Sequence, residues 1–241
     1  MKKIEISNKQ KADANSILSE FTAYSEFSSN KEAAYKFTSI IGAKICPYCN
    51  IEYVYTVYDD NGLPVFRPDI DHFIPKNPTT GNPTLQLDLM NLVPSCGICN
   101  EKLKRDKPFS RENNIHPYYD DFDNIMTFHI NICDIDYLSE QNFDIKLKPK
   151  ESVHSNDIIK AQNNISVFKL KERYQFHKDT VVEIFKRITF YNSSKQNEIL
   201  EILGNTDTIN VSFLFPEKCC DINNTSLGKL KKDIINLYLD I

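Results

Sequence analysis

Two cysteine pairs with the spacing C-x-x-C constrain this chain more than any other feature. Cys46 and Cys49 form the first pair, and Cys96 and Cys99 form the second. A gap of two residues lets both sulfurs of a pair face one ion, and tetrahedral Zn²⁺ takes four such ligands. The pairs therefore predict a structural zinc site that holds two distant segments together. Binding free energies of about 10–16 kcal/mol for such sites would contribute directly to folding.

A disulfide framework or a redox role accounts for the cysteines less well. The chain has seven cysteines, an odd number, and its first residues carry lysines but no apolar signal segment, which argues against a disulfide framework. The remaining three, Cys133, Cys219 and Cys220, do not repeat the spacing. Cys-Pro-Tyr-Cys is also a redox motif when it opens a helix, but here a β-rich stretch follows. Unpaired cytosolic thiols remain the alternative to zinc.

Length and composition predict an ordinary globular protein. The 241 residues are 41% apolar and include 15 Phe and 12 Tyr, enough to bury a substantial core. No run approaches the twenty or so apolar residues of a membrane span, so we expect a cytoplasmic protein without a membrane partner. The net charge of −4 argues against a surface that is basic throughout, although a local basic patch is compatible with it.

Hydrophobic periodicity predicts an α+β fold in three regions. Residues 1–43 read as an N-terminal helical region, in which Asn30 caps an amphipathic helix. Residues 44–117 form the core, with strands over 51–58, 63–66, 69–76 and 91–96, a hairpin turn at 59–62, and a helix over 97–106. Residues 118–241 read as mainly α-helical and end in an amphipathic helix from Leu227. Between Tyr118 and Ile145 lie seven acidic residues and no Lys or Arg, which places that segment away from nucleic acid.

A second constellation lies between the cysteine pairs. Asp71 and His72 end one predicted strand, Asn91 opens the next, and Asn100 lies in the first turn of the predicted helix. If the strands pair and the helix covers them, Asp71, His72 and Asn100 converge. A carboxylate and an amide oxygen are hard ligands suited to Mg²⁺ or Mn²⁺, and an imidazole beside them can take a proton from water. This combination indicates hydrolysis of a phosphodiester bond.

The motifs CPYCN, DIDHFIPK and NLVPSCGICNEKLKRD resemble the HNH endonuclease family, over about residues 46–106. The resemblance implies a ββα-metal core with a four-cysteine zinc site. It implies that His72 is the general base, that Asp71 and Asn100 bind the catalytic Mg²⁺ or Mn²⁺, and that Asn91 holds the loop between the strands. Asp69 would add an outer contact or be a surface carboxylate.

Basic residues follow the last of these motifs. Between residues 101 and 111 five basic residues stand against two acidic ones. We expect contacts to a nucleic-acid backbone from residues of this stretch and from one lysine before it: Lys76, Lys102, Lys104, Arg105 and Lys107. The alternative is a solvated helical face.

The sequence thus predicts a metal-dependent HNH endonuclease acting on DNA. The CPYC opening, the HPYYDDFD stretch and the helical C-terminal half are also similar to PtuB-like nucleases, which act with a PtuA-like ATPase in Septu-type and retron-linked antiphage systems. The chain has no G-x-x-x-x-G-K-[ST] motif, so nucleotide dependence would come from such a partner. The alternatives are a zinc-dependent nucleic-acid or protein binding module without catalysis, and a nuclease effector directed at RNA.

Overall fold

A computed structural model describes residues 1–132, 142–191, 194–195, 198, 214–218 and 221–238. Several features singled out in the sequence lie outside the described residues. They are Cys133, Cys219 and Cys220, part of the acidic segment, part of the helical pattern after residue 191, and the last residues of the predicted C-terminal helix. The described elements combine helices with three two-stranded antiparallel sheets, which makes the fold α+β as predicted.

Three helices form the N-terminal region. They are α1 (Asn8–Leu18), α2 (Tyr24–Ser29) and α3 (Lys31–Ile41). The predicted cap is confirmed, because the Asn30 side chain accepts a hydrogen bond from the Ala33 amide at 3.0 Å and α3 begins there. Gly42 ends α3 with a φ of 67°, a left-handed conformation that glycine adopts without strain.

The β-rich stretch after the first cysteine pair is less regular than predicted. Strand β1 covers Val57–Tyr58 and pairs with β2 (Pro64–Phe66), so the predicted hairpin is present. The prediction of a strand over 51–58 is wrong for most of that range, because only its last two residues are in β1. The reason is the cysteine turn. The Asn50 amide donates to the Cys46 carbonyl and the Cys46 amide donates to the Glu52 carbonyl, each at 2.8 Å, so the backbone there closes a turn.

The next strand pair carries the Asp71-His72 segment. Strand β3 (Asp69–His72) lies antiparallel to β4 (Leu92–Ser95), with Asp69 opposite Ser95 and His72 opposite Leu92. Both strands were predicted from the sequence, but β3 ends at His72 rather than at the predicted residue 76. A helix follows at Ile98–Lys104, also as predicted, but it is wound as a π-helix: the Arg105 amide donates to the Asn100 carbonyl five residues back.

The C-terminal region contains a hairpin that the sequence prediction did not include. Strand β5 (Met126–Ile132) pairs with β6 (Phe143–Pro149) in regular antiparallel register. The described helices of this region are α4 (Phe122–Ile125), α5 (Ser155–Val167), α6 (Leu170–Tyr174), α7 (Lys178–Phe190) and α8 (Gly228–Tyr238). Helix α8 confirms the predicted amphipathic C-terminal helix as far as the described residues extend.

Buried apolar side chains from all three regions form one continuous core. One buried charge cluster crosses it: the Lys229 ammonium lies 2.6 Å from Asp123 and 2.9 Å from Asp233, so α8 is tied to α4. Asp233 also accepts the Phe128 amide of β5 at 2.8 Å. Within the part of the chain that the structure describes, every helix is too short or too polar to cross a bilayer.

Candidate metal centre and adjoining polar site

The four predicted zinc ligands lie together. The sulfur atoms of Cys46, Cys49, Cys96 and Cys99 all lie within 4.8 Å of one another, and all four side chains are buried. Cys49 and Cys96, one from each pair, have sulfurs 3.9 Å apart. Two sulfurs bound tetrahedrally at about 2.3 Å from an ion would lie about 3.8 Å apart. The donor set and its spacing therefore fit a zinc ion that these four cysteines could hold.

Helix α6 supplies a cation and a hydroxyl to this cluster. The Arg173 guanidinium donates to the Cys99 sulfur at 3.4 Å, and the Tyr174 hydroxyl donates to the Cys49 carbonyl at 2.7 Å. Desolvation acts to raise the pKa of the Cys49 thiol, but hydrogen bonds from the other three cysteines and the charge of Arg173 hold that pKa well below its usual range. Four thiolates around one divalent ion leave excess negative charge, which Arg173 partly neutralises.

Replacing Tyr174 by phenylalanine tests this link between α6 and the cysteine cluster. We expect the Tyr174→Phe variant to lose about 1–3 kcal/mol of unfolding free energy, because the buried Cys49 carbonyl would lose its hydroxyl donor. Chemical denaturation of the zinc-loaded wild type and variant measures this difference in unfolding free energy. Tyr53→Phe, at an exposed position, is the matched control and should change stability by less than about 0.5 kcal/mol. Equal stability of both variants would contradict the link.

Asp71 is buried, and both oxygens of its carboxylate have close partners in the protein. Its carboxylate is 3% exposed; one oxygen accepts the Tyr48 hydroxyl at 2.6 Å and the other lies 3.0 Å from the Lys104 ammonium. Lys104 has no solvent exposure and also donates to the His72 carbonyl at 2.6 Å. The ammonium therefore joins the end of β3 to the end of the π-helix.

His72 points to a different set of partners. Its Nε2 lies 3.0 Å from the Gln86 carbonyl, and its ring meets the Tyr24 ring edge-on with centroids 4.3 Å apart. Because a carbonyl can only accept, we assign the proton to Nε2, which leaves Nδ1 as the acceptor. Burial lowers the pKa of His72 to about 4, so the imidazole is neutral at pH 7.

Asn91 ties the long loop between β3 and β4 together. Its side-chain oxygen accepts the Ile74 amide at 2.7 Å, and its amide nitrogen donates to the carbonyls of Ile74 at 3.0 Å and Leu85 at 3.1 Å. Leu85 directly precedes Gln86, the partner of His72. The side chain predicted to hold this loop thus bonds both to residues just after His72 and to the segment that contacts its ring.

Removal of the Asn91 amide should loosen this loop selectively. We expect Asn91→Ala to cost about 1–3 kcal/mol of unfolding free energy, because partly buried backbone groups of Ile74 and Leu85 lose their partners. Amide hydrogen exchange should become faster over residues 73–91 and stay unchanged in the cysteine turn. Thr79→Ala, at an exposed position of the same loop, is the control. Uniformly faster exchange across the chain would mean a global rather than a local role.

Asn100 contacts Asp69 rather than Asp71. Its side-chain nitrogen donates to the Asp69 carboxylate at 3.3 Å, and a methyl group at Gly97 would lie 3.3 Å from that same carboxylate oxygen. Asp69 and Gly97 line an open groove of about 280 Å³. The structure therefore brings Asp69 and Asn100 together, places Asp71 with Lys104, and directs His72 toward Gln86.

A catalytic divalent ion does not fit the Asp71 carboxylate in this arrangement. Both of its oxygens already have close partners, one of them a cation. Among the described residues, the cysteine cluster is the one group of three or more His, Cys, Asp or Glu whose ligand atoms lie close enough to share an ion. The donor chemistry thus supports a zinc centre and does not support Mg²⁺ or Mn²⁺ here.

The predicted nucleic-acid contacts divide into two groups. Lys76, Lys102, Arg105 and Lys107 are exposed, and the Lys76 ammonium lies 4.5 Å from the centre of the Tyr24 ring, beside His72. The predicted nucleic-acid contact of Lys104 is wrong, because this side chain is fully buried against Asp71 and cannot reach a phosphate from there. At position 104 an exposed helical face was expected, but the side chain points into the core.

Sequence reasoning did not predict the roles that three residues have at this site. Tyr48 lies inside the first cysteine pair, where the C-x-x-C spacing drew attention to its neighbours. Lys104 lies four residues after Asn100, a separation that could have flagged a shared helical turn. Tyr24 and its contact with His72 join segments far apart in sequence, and no local pattern signals such a contact.

Comparisons with known proteins give no family assignment. No family model, no curated protein and no solved structure matches the chain.

Proposed function

We propose that this protein is a zinc-stabilised nuclease of the HNH type that hydrolyses phosphodiester bonds in DNA. The observation that carries the proposal is the order of elements around His72. A strand ending in Asp71-His72, a loop tied by Asn91, a second antiparallel strand and a helix bearing Asn100 follow one another directly. The resemblance of the corresponding motifs to HNH endonucleases adds to this support.

In this proposal His72 is the general base. Its imidazole is neutral at pH 7 and keeps a free lone pair on Nδ1 when Nε2–H donates to the Gln86 carbonyl. The base would take a proton from the water that attacks phosphorus. The loop contacts of Asn91 would fix the Gln86 carbonyl and thereby the ring orientation. Asn91 is thus a positioning residue.

The resemblance also implies a Mg²⁺ or Mn²⁺ ion held by Asp71 and Asn100, which the described arrangement of these two side chains does not accommodate. The Asp71 carboxylate can accept such an ion only after it parts from Lys104. Substrate binding would rest on the exposed basic residues Lys76, Lys102, Arg105 and Lys107, whose phosphate contacts carry no sequence preference.

The biological setting is proposed from the resemblance to PtuB-like proteins. In this setting an ATPase partner of the PtuA type would dock on the helical flanks and supply the nucleotide dependence, as part of a bacterial antiphage system. Co-purification from the native host followed by mass spectrometry tests it. Recovery of an ATPase would support this setting, and recovery of the chain alone at physiological expression would contradict it.

A cleavage assay tests the nuclease function. Purified, zinc-loaded protein is incubated with supercoiled plasmid, single-stranded DNA or RNA, in Mg²⁺, in Mn²⁺ or without either ion. We expect conversion of plasmid to nicked or linear forms when Mg²⁺ or Mn²⁺ is added and none without them. Cleavage confined to RNA would favour the alternative substrate. No cleavage of any substrate, with binding retained in a gel-shift assay, would favour a binding module.

One observation favours that second candidate, a zinc-dependent binding module without catalysis. In the buried Asp71–Lys104 pair the opposite charges balance, and each oxygen of the carboxylate has a partner. This arrangement is typical of an ion pair with a structural role. In a binding module the exposed basic residues would contact nucleic acid in the same way. The cleavage assay with and without added Mg²⁺ or Mn²⁺ separates the two functions.

A further inference from the structure

The cation bound to Asp71 belongs to the chain itself. The Lys104 ammonium lies 3.0 Å from the Asp71 carboxylate and 2.6 Å from the His72 carbonyl, with no solvent exposure. The Phe109 ring covers it, with the centroid 5.1 Å from Nζ. The second carboxylate oxygen is taken by the Tyr48 hydroxyl. Every close contact of this carboxylate therefore comes from a hydrogen-bond donor of the protein.

We propose that Lys104 is an internal cation that occupies Asp71 and blocks divalent-ion binding there until the π-helix rearranges. An ammonium and a divalent ion on one buried carboxylate repel each other at short distance in a low-dielectric site, so the bound ammonium weakens ion binding there. The blocking role rests on the proposed nuclease function, whereas the exclusion of the ion from Asp71 does not. In the described arrangement the Asp71 carboxylate is thus occupied by the Lys104 ammonium.

The π-helix provides a physical route for release. Its turns are wider than those of an α-helix, since the Arg105 amide reaches back five residues, to Asn100. Rewinding the segment Ile98–Lys104 as an α-helix would turn Lys104 about the helix axis relative to Asn100 and withdraw its ammonium from Asp71. Arg105, which ends the helix with a φ of 52°, is the strained residue that such a change would relieve.

The test compares Mn²⁺ binding by zinc-loaded variants, measured with Mn²⁺ alone by electron paramagnetic resonance. Thiolates are poor Mn²⁺ ligands, so the cysteine cluster adds little signal. We expect Lys104→Met to bind Mn²⁺ at least tenfold more tightly than the wild type. The double variant Asp71→Asn/Lys104→Met should lose that gain, and Lys102→Met, exposed on the same helix, should match the wild type.

If Lys104→Met does not fold, the wild type and the double variant still decide the question. Equal, weak Mn²⁺ binding by these two proteins supports the inference, because Asp71 then contributes nothing to ion binding in the wild type. Tighter binding by the wild type than by the double variant overturns it, and so does the absence of any gain in a folded Lys104→Met. Neither readout needs cleavage, so failure of the nuclease proposal would leave this result interpretable.

Discussion

The His72→Ala variant should lose the proposed nuclease activity by about 10²–10⁴-fold while keeping its fold and its zinc, because a general base, the role proposed for His72, typically contributes a factor of this size. The imidazole contacts Gln86 and Tyr24 at the edge of the core rather than the cysteine cluster. Its loss should therefore change chemistry more than stability. The rate of plasmid cleavage, with zinc content and melting temperature measured on the same sample, checks the prediction.

His154→Ala is the matched control for this variant. His154 is exposed at the start of α5, and its side chain makes no capping hydrogen bond there, so its removal should leave the cleavage rate unchanged. His72→Gln, which keeps more of the side-chain volume, guards against a packing artefact and should be as inactive as His72→Ala. Wild-type rates from folded His72 variants would refute the assignment of the base.

The Cys96→Ser variant should show the largest loss of stability. Structural zinc sites contribute about 10–16 kcal/mol of apparent binding free energy, and removing one thiolate forfeits several kcal/mol of it. At about 2–4 °C per kcal/mol for a chain of this size, the melting temperature should fall by at least about 10 °C. Zinc content by elemental analysis should fall from one ion per chain in the wild type to well below one.

Two controls accompany this prediction. Cys133→Ser removes a cysteine that stands outside both C-x-x-C pairs and should retain zinc and stability. Treatment of the wild type with a strong chelator should reproduce the instability of Cys96→Ser, which links the effect to the metal rather than to packing. A wild type that contains no zinc, or a Cys96→Ser variant that melts like it, would remove the zinc assignment.

Local patterns in the sequence predicted the elements that carry the site. The spacing of the cysteines predicted their convergence, because a two-residue gap has a direct geometric consequence. The polar cap at Asn30 and the strands around Asp71 and Asn91 were equally visible, since each depends on neighbours along the chain. The hairpin β5–β6 was missed although its alternation is regular, because helical patterns on either side dominated the interpretation.

The partner of Asp71 could not be predicted in this way. Lys104 is separated from it by 32 intervening residues, and whether its ammonium points to solvent or to the carboxylate depends on the π-helical winding. Helical periodicity at 3.6 residues per turn does not anticipate a π-helix. The side-chain pairing of Asn100 with Asp69 likewise joins two separate elements. The chemistry of individual residues could be inferred from the sequence, whereas the side-chain contacts between separate elements could not.

The buried Asn50 in the first cysteine turn has a consequence for how the molecule is made. Its amide nitrogen donates to the Ile222 carbonyl at 2.7 Å, its side-chain oxygen accepts the Lys229 amide at 2.9 Å, and its carbonyl accepts the Leu227 amide at 2.7 Å. During synthesis these bonds can form only after nearly the whole polypeptide has left the ribosome. A truncated product ending near residue 117 would therefore expose this turn to water, and an excised segment of residues 44–117 should be a poor candidate for independent expression.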